Sequence, residues 1–310
     1  MTDSLRVLSL VTNNHAGFYR REVEGLRDRG HDVDVLAVPG YSKEVDRSVA
    51  TYAAYYVRAV AAARDGYDLI HANYGLAAPP AVAQPFAPVV VSLWGSDLMG
   101  RYESVSRLCA RLADEVIVMS GEMAERCGRD CRVIPHGIDL DAFRPLPRSV
   151  ARSEVGWDAT SRHILFPYDP DREVKDFPRA ERIADRVRSD VDAPVSLHPV
   201  FNVAHERMPL YMNAADALLM TSKREGMPNT VKEALACDLP VVSTPVSDLS
   251  ERLAGVSNST VSDDDEELAA ALVRILRSEA RSDGREHART FGTESQLDQI
   301  EDAYRAALGD

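Results

Sequence analysis

Lysine is scarce in this chain. Four residues (Lys43, Lys175, Lys223 and Lys232) are set among 36 lysines and arginines, so nearly every cation is an arginine. Adaptation to high salt and a GC-rich genome would each give that pattern. Cysteine is equally sparse: Cys109, Cys127, Cys131 and Cys237 include no Cys-x-x-Cys, and no histidine pair stands nearby to complete a zinc set. They read as isolated thiols. No apolar run approaches the roughly 20 residues of a membrane span. The first residues lack a basic n-region, and residues 5–11 read as a buried strand rather than a signal peptide, so a cytoplasmic location is expected. No Gly-x-Gly-x-x-Gly occurs, which weakens a nicotinamide or flavin reading. The net charge of −13 opposes nucleic-acid binding and broad attraction to anionic membranes, leaving room only for a local basic face.

What is present is alternation. The 310 residues fit two domains of about 150 each. Short β-like runs at 6–11, 32–37, 69–72, 89–93, 116–119 and 132–134 alternate with helical patterns, clearest at 17–29, 44–64 and 102–113. The first helix ends in Arg29-Gly30, a basic last turn and a C-cap glycine. The alternation pauses over Pro135 to Pro147, where three prolines and a glycine suit a linker. It resumes with strands at 164–166, 195–198, 217–220 and 241–244 and helices at 177–188, 209–215 and 230–236. The acidic run 263–267 suits the start of a helix continuing to Arg277, and a last amphipathic helix spans 294–307. Strands separated by helices imply parallel, doubly wound sheets, and two such domains predict a cleft between facing sheet ends.

The most informative segment runs Thr221-Ser222-Lys223-Arg224-Glu225-Gly226-Met227-Pro228-Asn229-Thr230-Val231-Lys232-Glu233-Ala234. It lies between two apolar strands, so its loop falls at a strand's carboxyl end, where α/β sheets place ligands. Eight helical residues would rise about 12 Å, setting Glu225 and Glu233 near the two ends of a nucleotide sugar. A second loop at a strand's carboxyl end carries Arg172 and Lys175, two cations suited to a diphosphate. The helix starting near Asn229 adds backbone N–H groups. Asp-x-Asp triplets at Asp32/Asp34, Asp139/Asp141, Asp169/Asp171 and Asp190/Asp192 are what an aspartate-rich chain delivers by chance, and no metal site is expected.

In the first half, Gly17 opens a helix just after the first strand and would let backbone approach a ligand. Trp94 and Asp97 follow the strand 89–93. Trp94 suits stacking on a sugar and Asp97 accepting its hydroxyls, or else core and helix cap. His71 reads as structural or as a sugar or acceptor contact, and His136 as reaching the cleft. The segment 52–60 is amphipathic and aromatic, a pattern shared by membrane-surface helices and by helices that pack tyrosines on a sheet; the latter is preferred.

Thr-Ser-x-x-Glu-Gly-x-Pro-Asn-x-x-x-Glu-Ala-x-Ala, the linker Ile-Pro-His-Gly-Ile-Asp-x-x-x-Phe-x-Pro ending at Pro145, and the loop of Arg172 and Lys175 together resemble glycosyltransferase family 4. Arg29-Gly30-His31-Asp32-Val33 and the segment 113–120 fit as well. The resemblance implies an α/β GT-B fold, two Rossmann-like domains over 1–142 and 143–292 facing across a cleft, with a C-terminal helix over 293–310 crossing back to the first. It implies a retaining, metal-independent transferase without a cofactor. The donor would be a UDP- or GDP-sugar, and the acceptor a glycan or a lipid- or protein-linked group, with peripheral membrane contact if the acceptor is lipid-linked. Glu225 would then hold the donor sugar, Gly226, Met227, Asn229 and Thr230 the sugar or diphosphate, and Glu233 the ribose. Arg172 and Lys175 would hold the diphosphate, with Gly17 approaching it. Three features depart from the family: a single N-terminal glycine, Trp94 where a histidine is usual, and a short first domain. A non-catalytic nucleotide-sugar sensor or scaffold, and an epimerase or phosphorylase of related fold, are the alternatives.

Overall fold

The computed structural model describes residues 4–40 and 47–309. The chain divides into two compact units, Met1–Gly137 with Thr293–Asp310, and Ile138–Gly292. The first passage between units thus lies five residues before the expected 142.

The first unit contains β1 (Arg6–Val11), α1 (Gly17–Asp28), β2 (Asp32–Ala37), α2 (Val49–Ala62), β3 (Leu69–Asn73), α3 (Ala78–Val82), β4 (Val89–Leu93), α4 (Glu103–Leu112), β5 (Glu115–Val118), α5 (Gly121–Cys127) and β6 (Arg132–Val133). Among the described residues these strands form one parallel sheet, ordered β2-β1-β3-β4-β5-β6. The expected strands recur with small shifts. The helix expected from 44 begins at Val49, where Ser48 Oγ accepts the Thr51 amide at 3.2 Å; residues 44–46 lie outside the described ones. Helix α1 buries Tyr19, Glu22, Val23 and Leu26, a helical stripe. It ends as expected at Gly30, whose φ of +99° only glycine adopts freely, so that the His31 amide reaches back to Leu26 O at 3.1 Å.

The second unit contains α6 (Arg148–Val155), β7 (Arg162–Phe166), α7 (Phe177–Asp190), β8 (Val195–Pro199), α8 (Met208–Ala214), β9 (Ala217–Met220), α9 (Asn229–Ala236), β10 (Val241–Ser243), α10 (Leu249–Arg252), β11 (Thr260–Val261), α11 (Asp265–Ser278) and α12 (Gly284–Ala288). Its parallel sheet is ordered β11-β10-β9-β7-β8. The chain then returns to the first unit as α13 (Thr293–Leu308), packed against α1 and over β3, β4 and β5.

Right-handed crossovers fix which face each helix covers. In the first unit β1 to β2 runs one way and β2 to β5 the other, so α1 lies on one face and α2, α3 and α4 on the opposite one. In the second unit the order reverses between β7 and β9. The reversals place the loops after β1 and β3, and those after β7 and β9, at topological switch points, where open α/β sheets bind ligands.

Beneath α13 lies a polar group inside the core. His71 Nδ1 is 2.8 Å from Tyr304 Oη and its Nε2 2.7 Å from Ser92 Oγ. Gln296 donates to Glu22 Oε2 at 2.8 Å and accepts the Gly137 amide at 2.7 Å. Burial lowers His71 to about 3 and raises Glu22 to about 8, with the Gln296 bond opposing the latter. In the unfolded chain Glu22 ionises near 4.5. Its neutral form therefore stabilises the fold fully below that value, and the contribution is lost as pH rises towards about 8. Glu22→Gln, which keeps the hydrogen bond without the charge, is expected to stabilise the protein at pH 8.5 by roughly 2–4 kcal/mol and to change little at pH 4.5. Calorimetry at the two values checks this; parallel pH profiles for both proteins would refute it.

Candidate functional site

In the second unit, the loop after β7 curls through a single 3-10 turn (Glu173–Lys175) and carries Lys175 inward. The Lys175 ammonium pairs with Glu225 Oε1 and lies 3.7 Å from the centre of the Tyr168 ring. The two charged side chains are 5% and 16% exposed. Burial lowers the lysine's pKa and the Glu225 carboxylate opposes that. The loop is pinned from β9: Thr221 Oγ1 donates to the carbonyls of Lys175 and Asp176, both at 2.9 Å, and the Lys223 amide donates to Val174 O at 2.9 Å. Asp176 holds a left-handed φ of +50° to make the turn into α7. The two loops of the switch point are thus one structure, built around a buried cation. Arg172 sits three residues before Lys175 but is exposed.

Helix α9 begins at Asn229, with Pro228 at its cap position making no side-chain cap hydrogen bond, and no acid in its first turn. Helix α11 makes the contrast. Asp264 accepts the amides of Glu266 and Glu267 there, and three acids fill the first turn. Both ends need negative partners for their amides, and only that of α11 supplies its own. The α9 terminus is thereby left as a place for an anion, next to Thr230, whose hydroxyl pairs with that of buried Tyr168. Gly226 and Met227 shape the turn between Glu225 and α9, and the Gly226 carbonyl accepts from Ser247 Oγ.

Glu233 lies in the second turn of α9, 3% exposed, its Oε1 3.5 Å from His205 Nε2. The expected helical separation of the two glutamates is corrected here. Residues 225–228 are loop, so only the last four steps are helical, a rise of about 6 Å rather than 12 Å. Sequence reading also passed over Tyr168 and His205. Tyr168 stands two residues beyond β7 in the loop already singled out, which was the available signal; for His205 there was none.

In the first unit Gly17 opens α1, and among the described residues a side chain there would meet only Arg21 Nη1 at 3.5 Å, so none of them demands glycine. Residues after β1, β3, β4 and β6 bring aromatic rings together. His136 stacks on Phe18 at 3.9 Å between centroids, and the Trp94 ring stands edge-on to Phe18, Tyr74 and His136. Tyr74 has φ +92°, strained for a side-chain-bearing residue. Trp94 Nε1 is buried, with no hydrogen-bond partner among the described residues. Of the two readings offered for Asp97 and His71, the structure supports the structural one. Asp97 is wholly buried, and its carboxylate accepts the amides of Gly75, Trp94, Gly95 and Leu98 at 2.8–3.1 Å, so it organises two loops. A Cβ on Gly75 would fall 2.0 Å from Ser106 Oγ, which leaves glycine alone able to reach that carboxylate. His71 is 1% exposed beneath α13 and has the structural role. Of the Asp-x-Asp triplets, Asp139 and Asp169 accept amides two residues ahead, as turn-forming aspartates do.

The profile described as Glycosyltransferase Family 4 matches residues 18–142, and that described as Glycosyl transferases group 1 matches residues 176–278. A putative teichuronic acid biosynthesis glycosyltransferase of Bacillus subtilis, TuaC, is 28% identical over 218 residues, which is 60% of this chain and 56% of that protein. The chain thus spans little more than half the length of that relative. Among solved structures, sucrose-phosphate synthase of Thermosynechococcus elongatus superposes with a TM-score of 0.74 at 20% identity, covering 99% of both chains. Anabaena HepE, solved with UDP and glucose, gives 0.72 at 18% identity, covering 96% of this chain and 98% of its own. Two parallel-sheet α/β units in this order, each matched by its own profile, make the chain a member of glycosyltransferase family 4 with the GT-B fold.

Proposed function

We propose that the protein is a retaining glycosyltransferase that moves a sugar from a nucleoside-diphosphate sugar, UDP- or GDP-linked, to a glycan or a lipid- or protein-linked acceptor. The observation that carries this reading is the buried Lys175–Glu225 pair beside the uncapped start of α9. A diphosphate seated there meets a fixed cation, the amides of Asn229 and Thr230, and, from the loop, the free arm of Arg172. Negative charge grows on the leaving phosphate oxygen as the glycosidic bond breaks. Groups already held in place stabilise it without reorganisation. Glu225 faces the sugar, and Glu233 holds the ribose with His205 beside it. The leaving oxygen takes the acceptor proton in a front-face displacement, so the protein supplies orientation and charge rather than a base. In the first unit, Gly17 leaves space at the β1 switch point, and Trp94 offers its ring and unpartnered indole N–H to a sugar, with His136 at its edge. That HepE was solved with UDP supports a uridine donor.

Glu225→Gln is expected to remove most turnover while sparing nucleotide affinity, because its role lies at the sugar. Glu233→Ala is expected to weaken nucleotide binding by about 1–3 kcal/mol, the worth of one charge-assisted hydrogen bond. Calorimetric titration with UDP and GDP, paired with donor turnover, checks both. Equal loss of nucleotide binding in the two variants would sink this division of roles, and no binding of either nucleotide would sink the donor assignment.

A further inference from the structure

We propose that Ser247, in the loop after β10, is a positioning residue for the donor: its hydroxyl fixes the Gly226–Met227 peptide so that the Met227 amide faces the transferred sugar. The inference rests on the transferase reading above and names a residue which that reading does not use. Strand β10 pairs with β9, so the loops that follow the two strands lie side by side. From the β10 side, two hydroxyls hold the segment that carries Glu225. Thr244 Oγ1 donates to Ser222 O at 2.7 Å, and Ser247 Oγ donates to Gly226 O. Glu225 lies between these anchors, its carboxylate on Lys175. The Thr244 anchor comes with the sheet, since the Thr244 amide still donates to Met220 O at 3.0 Å and the residue is buried. The Ser247 anchor is built separately. Ser247 holds φ +54°, a left-handed backbone that costs a residue with a side chain and that glycine adopts freely. What serine adds over glycine at this position is a hydroxyl, and the hydroxyl goes to the donor loop.

The consequence follows from peptide geometry. Among the described residues every peptide bond is trans, and a trans peptide points its C=O and the next N–H to opposite sides. With Gly226 O turned to Ser247, the Met227 N–H is turned the other way. Among the described residues no acceptor meets that N–H. Met227 is buried, and a main-chain donor in such a place calls for a partner. It stands two residues after Glu225 and two before the start of α9. That is between the carboxylate that faces the sugar and the amides that face the diphosphate, so an oxygen at the sugar end of the donor is the partner that fits. The serine side chain is itself held. Asp248 accepts Arg252 Nε at 2.6 Å through one oxygen and sets the other 3.2 Å from Ser247 Oγ. The single hydroxyl proton thus has two acceptors in reach and goes to the nearer, Gly226 O. An amide fixed in advance needs no reorganisation as the glycosidic bond stretches, the condition under which such a donor contributes most.

Three variants test this, because hydroxyl and stability run in opposite directions across them. Ser247→Gly and Ser247→Ala remove the hydroxyl, and glycine also relieves the left-handed backbone; Ser247→Thr keeps the hydroxyl but strains that backbone further. Hydrolysis of UDP-glucose, UDP-N-acetylglucosamine and GDP-mannose by the whole protein gives kcat and KM, calorimetry the affinity for UDP and GDP, and scanning the melting temperature. Ser247→Gly and Ser247→Ala are expected to lower kcat by about 10- to 100-fold, the scale of a small misplacement, while affinity for bare nucleotide stays within about threefold. Ser247→Gly is expected to melt no lower than Ser247→Ala, and Ser247→Thr to melt lower than the unaltered protein yet keep kcat within about threefold of it. If threonine is not tolerated, the other two variants decide by themselves. A kcat for Ser247→Gly within about threefold of the unaltered protein would overturn this inference alone. So would turnover that follows melting temperature across the set, and a loss of nucleotide affinity as large as the loss of kcat would overturn the placement at the sugar. An unaltered protein that neither binds UDP or GDP nor hydrolyses any of the three donors would overturn the transferase reading and this inference with it.

Discussion

Lys175→Met is expected to lower turnover by about 100- to 1,000-fold, the usual cost of removing one preorganised group that stabilises developing charge. The cation is held by geometry that a free lysine lacks: 5% exposure, a carboxylate partner, an aromatic ring beneath it, and a loop tied to β9 by Thr221. Methionine fills the same volume without charge. The substitution also strands Glu225, a nearly buried carboxylate, and that alone is expected to cost about 1–3 kcal/mol of stability. Lys175→Met combined with Glu225→Gln isolates the stability effect, and the pair should regain most of the melting temperature lost by Lys175→Met alone. A double variant no more stable than Lys175→Met would show that the stranded carboxylate is not what costs stability. Turnover of Lys175→Met within about tenfold of the unaltered protein would refute the catalytic role of the ammonium.

The second large effect is expected at Asp97, in stability rather than chemistry. Asp97→Ala should cost about 3–5 kcal/mol, lowering the melting temperature by roughly 10 °C, because four backbone amides lose their acceptor inside the protein. Burial raises the pKa of this carboxyl while the amides of Gly75, Trp94 and Gly95 pull it down. Its two oxygens join the loop after β3, through Gly75, to the loop after β4, through Trp94, Gly95 and Leu98. Asp97→Asn keeps one acceptor oxygen and turns a donor towards the other amides, so it should fall between aspartate and alanine. Scanning calorimetry with Trp94 fluorescence reads both the loss and the release of the loop. A change below about 1 kcal/mol for alanine would mean that the loops hold themselves.

Much of this architecture was legible because the sheets are parallel and buried. Runs such as Leu69–Asn73 and Val89–Leu93 read as near-continuous apolar stretches between helices, and their positions shifted by one or two residues at most. Short elements escaped notice. Helix α3 has five residues and β11 two, too few for a periodic signal. In the site, residue types and their loops were readable, since Glu225, Arg172 and Lys175 all follow strand ends. Their relation was not: the Lys175–Glu225 pair depends on a turn through left-handed Asp176, and no local pattern announces which of two nearby cations turns inward. Asp97 and His71 could be read two ways for the same reason. A polar residue at a strand's end has the same appearance in sequence whether it faces a ligand or satisfies buried amides.

The return of α13 to the first unit has a consequence for biosynthesis. Residues up to Gly137 leave the ribosome first, yet the partners of Glu22 and His71, namely Gln296 and Tyr304, are translated more than 150 residues later. Until then β3, β4 and β5 lack the helix that covers one face, and Glu22 and the Nδ1 side of His71 lack the partners that α13 brings. The nascent N-terminal half must wait, half-roofed, while the second unit, continuous from Ile138 to Gly292, can close as soon as it emerges. Order of synthesis and order of completion are thus reversed in this chain.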